Sequence, residues 1–177
     1  MSDFWVSRYA MSIVKDEGQY DIIKTLDLEP FLKEEDRYLI NISSSKEENH
    51  SSGLESGQPK IFVIKSEKEF SYVGYASESM FPRITKGLAA SLAKAYMKDR
   101  ELETKELDLY IFEFMLFADF SKTETRQYYQ SIQSELIYLI KAETGTWPIL
   151  QKQINLWNEN QEEAKEIAYE MILILKS

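Results

Sequence analysis

The chain has 177 residues, 44% of them apolar, a net charge of -9, one histidine and no cysteine. That length and apolar content describe one domain with a full core, and the missing cysteines exclude disulfides and thiolate metal sites. No stretch approaches the roughly 18 uninterrupted apolar residues of a membrane span, and the start MSDFWVSRYA lacks a basic region before an apolar core, so the expectation is a cytoplasmic protein with no membrane partner.

In chain order, Tyr20–Leu28 reads as a short helix behind Gly18, and Arg37–Ser43 alternates like a strand. Ser43–Gln58 holds six serines, two glycines, one leucine and no aromatic residue. Such a composition predicts a mobile loop with nothing to bury. It divides an N-terminal extension, 1–58, from a domain over 59–177. Ile61–Lys65 and Phe70–Ala76 flank the polar turn Ser66–Glu69 and form a hairpin. Pro82 suits the first turn of a helix running to Lys98. Leu107–Phe117 is a third strand, buried on at least one side.

Ser121-Lys122-Thr123-Glu124 is a capping box, opening a helix that runs to Glu143 and ends at Gly145. After Trp147-Pro148 the chain is irregular, with a short strand over Gln153–Trp157. The last helix repeats apolar residues at Ala164, Ile167, Ala168, Met171, Ile172 and Leu175, the spacing of one packed face. The layout is α+β: a small antiparallel sheet flanked by helices, a β-β-α-β-α core with an N-terminal extension and a C-terminal helix.

The acidic balance opposes nucleic-acid binding, which draws its affinity from lysine and arginine displacing counterions. An acidic protein must therefore gather its positive charge on one face. On a helical wheel Arg83, Lys86, Lys94 and Lys98 lie along one line, with Ile84, Leu88, Leu92 and Ala95 opposite. That stripe is either a solvated helix face or a phosphate track. In the next helix Tyr129, Ile132, Leu136, Leu139 and Ile140 make the apolar face, and Glu135 sits at its edge. A carboxylate there needs a partner, a lysine or a cation. The only histidine, His50, stands in the serine-rich stretch. Tyrosine and phenylalanine are mostly core by default, with Tyr128, Tyr129 and Trp147 able to stack on bases.

From Lys60 to Lys152 the chain resembles the GIY-YIG nuclease superfamily. Tyr72-Val73-Gly74 is similar to the second motif, and Arg83 follows at close to the family's separation. Glu135, in SIQSELIYLIK, matches the metal-binding glutamate. Lys60-Ile61-Phe62 stands where the first motif would be, so Phe62 replaces a tyrosine, with Gly74 and Tyr75 as further site candidates and Tyr75 on the opposite side of the strand from Tyr72. The resemblance implies a DNA endonuclease, DNA ahead of RNA; small size and no attached binding domain add the expectation of a role in restriction or defence. Glu135 would hold Mg2+ or Mn2+, and Arg83 would clasp the phosphate. Tyr72 would activate water, and Lys86, Lys94 and Lys98 would carry the backbone. The alternative is a catalytically inactive relative that binds nucleic acid or a protein partner. A homodimer is a further expectation, and an acidic interaction protein unrelated to nucleases accounts for the charge most directly.

Overall fold

A computed structural model describes residues 4–15, 38–44, 54, 57–80, 84, 88–98, 104–114, 122–152, 154 and 161–177. Within them five strands form one antiparallel sheet in the order β2-β1-β5-β3-β4. They are β1 (Phe4–Lys15), β2 (Tyr38–Ser44), β3 (Lys60–Lys65), β4 (Phe70–Ala76) and β5 (Thr104–Phe114). Helix α1 (Ala89–Ala93) continues into a π-helical turn over Lys94–Lys98, and α2 (Lys122–Thr144) and α3 (Gln161–Lys176) follow. The class is α+β, with helices on both sides of the sheet.

The residues expected to form an N-terminal extension supply two of the five strands, and β1 lies inside the sheet. The cause is alternation: Tyr9, Met11 and Ile13 are buried, and the residues between them point the other way. The partner of β1 is β5, with Arg8 and Asp108 cross-strand neighbours one hundred residues apart in sequence. Leu54, in the stretch expected to bury nothing, is a buried member of the core, and its carbonyl accepts from the Met80 amide at 2.9 Å. A single leucine in a serine-rich run is enough to pin that point.

Strand periodicity splits the core in two. The first face of the sheet presents Tyr9, Met11, Phe62, Ile64, Leu109 and Ile111 to Leu92, Ala93, Tyr96 and Met97 of α1 and its π turn. The second presents Ile61, Val63, Val73, Tyr75 and Phe112 to α2 and α3. Each helix turns one stripe inward, Tyr129, Ile132, Leu136 and Ile140 on α2 and Ala164, Ala168, Met171, Ile172 and Leu175 on α3. Gly145 closes α2 at φ 75°, its amide donating to the Lys141 carbonyl. The left-handed conformation there is one that glycine adopts without a Cβ clash.

Two details of β4 decide where its side chains go. The register with β3 shifts by one residue, Ile64 opposing Tyr72 while Lys65 opposes Phe70, so Ser71 is a β-bulge. Phe70 therefore packs on the second face, and Tyr72 on the first. Ser71 also turns to the first face, where its hydroxyl lies 2.6 Å from the Tyr96 hydroxyl. The outer edge of β4 is covered. Ile149 and Leu150 donate their amides to the Phe70 and Ser71 carbonyls. The Gln151 side chain accepts from the Val73 amide, and the Gln133 side chain donates to the Val73 carbonyl.

The helix expected over Tyr20–Leu28 lies outside the described residues. So do Pro82, the capping Ser121 and most of the strand expected over Gln153–Trp157. No helix among the described residues is long and apolar enough to cross a membrane.

Candidate functional site

The residues that carry the nuclease-like pattern fall into three groups. Phe62, Tyr72 and Gly74 meet on the first face. Phe62 is fully buried, and its ring lies 5.8 Å from that of Tyr72. A Cβ built on Gly74 would stand 2.3 Å from the Phe62 Cζ and 2.7 Å from the Tyr72 Cε1. Glycine at this position makes the room into which the cross-strand ring packs, the aromatic-over-glycine pairing found in sheets. The glycine of the tyrosine–valine–glycine triplet thus has a packing reason. Tyr72 keeps part of its surface open and rests on the first-face core.

Tyr75 faces the other way, as strand alternation requires, and stacks on Tyr129 at 6.1 Å and 12°. Tyr129 also meets Phe114 at 4.8 Å and Tyr128 at 5.1 Å. Tyr128 and Tyr129 are buried, so neither is open to stack on bases.

Glu135 belongs to the second layer. It projects from α2 toward the start of α3, where the Gln161 side-chain amide donates to its carboxylate at 3.4 Å. A helix start attracts negative charge, which gives Glu135 a structural reason to be there. Its charge also helps raise the pKa of Lys165, mainly the work of the Glu162 hydrogen bond. The sheet therefore stands between Tyr72 and Glu135. A hard divalent cation takes six or more oxygen ligands. At Glu135 it would meet an amide N–H and a nearby ammonium, and no group of three metal-binding side chains exists among the described residues. The described neighbours do not by themselves supply such a ligand set.

Of the basic stripe, Arg83 and Lys86 lie outside the described residues. Lys94 is exposed, and Lys98 ends the π turn. Lys105 of β5 joins that layer, its ammonium 5.0 Å from the centre of the Tyr96 ring.

Two charged groups escaped the sequence reading. Lys60 is fully buried and opposes Glu113 across β3 and β5. Burial lowers its pKa, and the Glu113 charge works in the other direction. On the second face Arg8 grips Asp108 through two nitrogens at 3.1 Å and stacks 5.3 Å from the centre of the Tyr110 ring. Lys65 beside it donates to the Leu175 carbonyl at 2.5 Å, a cation at a helix C-terminus. Both clusters are cross-strand pairs, which a sequence discloses only once register is known.

The outward side of α3 is the third feature. Tyr169 and Leu173 are 55% and 50% exposed, although every other large apolar residue of the helix faces inward or sits at the boundary. Glu162, Glu166 and Glu170 share that side. The signal was present in sequence as two apolar residues on the polar arc of the wheel.

One buried phenol bears on stability at alkaline pH. Burial first, and the neighbouring Tyr75 second, push the Tyr129 pKa well above its ordinary 10. The folded protein then keeps a proton that the unfolded chain releases, so stability falls as pH rises above 10. Tyr129 alone contributes a slope of about 1.4 kcal/mol per pH unit. Tyr129→Phe is expected to flatten urea-midpoint profiles between about pH 10 and 11.5 by that amount. An unchanged slope would mean that the phenol titrates normally.

Comparison of the chain with family models, with curated proteins and with solved structures found no match.

Proposed function

We propose that the protein is a non-catalytic binding module whose partner is a basic protein. The observation that carries this reading is the sheet between Tyr72 and Glu135. One phosphate cannot touch both. Phe62, Gly74 and Tyr75 support it as well, since core packing accounts for all three.

Charge narrows the partner. The chain holds 30 acidic against 21 basic residues, and 1–58 alone has twelve against six. Such a charge balance repels a phosphate backbone and draws in cationic proteins. Helix α3 adds four glutamates against two lysines.

The endonuclease implied by the resemblance is the second reading, favoured by the exposed Lys94 with Lys98 and Lys105 in the same layer. A cleavage assay separates the two. With Mg2+ or Mn2+, the parent and Glu135→Ala are both expected to leave plasmid, linear duplex and RNA intact over hours. Chelator-sensitive cutting by the parent that Glu135→Ala removes would overturn the binding-module reading.

A further inference from the structure

We infer that the outward side of α3 is the docking surface, and that it receives a basic protein surface bearing an apolar recess. The inference rests on the binding-module reading. At about 100° per residue, Glu162, Glu166, Tyr169, Glu170 and Leu173 share one arc of the helix, opposite the stripe that packs on the sheet. Tyr169 and Leu173 are four residues apart and so lie side by side. Packing among the described residues does not use them: the buried residues of α3 are Ala164, Ala168, Met171, Ile172 and Leu175. Glu166 and Glu170 flank the pair. The two lysines of the helix stand exposed at the edge of this side, each neutralised by an ion pair, Lys165 with Glu162 at 2.9 Å and Lys176 with Glu143 at 2.6 Å. The exposed apolar pair is thus flanked by the carboxylates of Glu166 and Glu170, while the lysines at its edge already have acidic partners.

Charge selects among the occupants. A second copy bound through this side would set the same glutamates against each other, and like charges in an interface oppose association. Nucleic acid and anionic lipid meet the same repulsion. A cationic protein meets attraction at the rim and can bury Tyr169 and Leu173 at the centre. That arrangement, an aromatic anchor inside a polar ring, concentrates binding energy in a few residues.

The test uses three synthetic helical peptides: leucine with lysine at amphipathic spacing, serine with lysine at the same charge, and leucine with glutamate. The parent is expected to bind the leucine–lysine peptide and to bind the other two at least about tenfold more weakly. Tyr169→Ser with Leu173→Ser should weaken leucine–lysine binding at least about tenfold while leaving the thermal midpoint in place. Glu166→Gln with Glu170→Gln should slow association and flatten its salt dependence. If the double serine variant binds like the parent, or serine–lysine equals leucine–lysine, the surface is wrong while charge-driven binding stands. If the parent binds neither cationic peptide, the surface inference is overturned, and nucleic-acid cutting by that parent brings down the binding-module reading too. A parent dimer in sedimentation that the double serine variant loses would make a second copy the occupant, and would also overturn the inference.

Discussion

Phe62→Ala is expected to cost about 3–5 kcal/mol, the range for emptying a buried aromatic site. Its ring is fully buried against the first face. Gly74→Ala should cost about 1–3 kcal/mol, because the new methyl enters space that the Phe62 and Tyr72 rings already occupy. The two changes should not add. With Phe62 truncated, the methyl introduced by Gly74→Ala has somewhere to go, so the double variant should be more stable than the sum predicts by about 1 kcal/mol or more. Chemical denaturation of all four proteins closes the cycle. Strict additivity would mean that Gly74 is required for something other than the ring across from it, and would reopen a site role for the triplet.

Glu113→Leu is expected to cost about 1–2 kcal/mol, because it removes the cross-strand carboxylate whose charge favours the protonated Lys60 amine. The sign with pH follows from the lowered Lys60 pKa. Between its folded pKa and the ordinary 10.5 the unfolded chain holds a proton that the folded one lacks, so stability rises with pH through that window. Removing Glu113 drops the folded pKa further and extends the window downward. The variant should therefore lose most at neutral pH and recover toward about pH 10. Adding Lys60→Met should remove the pH dependence of that loss, since no amine is then left to titrate in this window. Equal losses with and without Lys60→Met would show that Glu113 matters for another reason.

Local patterns were legible. β3 and β4 have their partners within a few residues, and the stripes of α2 and α3 repeat every turn, so periodicity alone located them. The pairing of β1 with β5 was not, because the two strands lie about one hundred residues apart. The placement of the candidate site residues was hidden for a related reason. Spacing along a chain orders Tyr72 before Glu135, but does not say which side of the sheet each occupies. That depends on register, and a one-residue slip exchanges the faces. The bulge at Ser71 puts Phe70 and Tyr72 on different faces although they are two apart. A resemblance built on separations could not anticipate that division. Tyr169 and Leu173 were visible on the wheel, but their exposure became meaningful only once the opposite stripe was seen to complete the core.

The strand order also dictates the sequence of events during synthesis. β1 with β2 and β3 with β4 are neighbours that can pair as soon as they emerge, yet neither pair touches the other directly. β5 is the keystone between them, and it leaves the ribosome after both. Until then two marginal two-stranded ribbons wait with apolar faces unjoined. Contacts at such separation make for slow folding and a longer exposure to aggregation. A chain ending before β5 is therefore expected to leave both ribbons unjoined and to aggregate more readily than the whole chain, which sedimentation of the two would check.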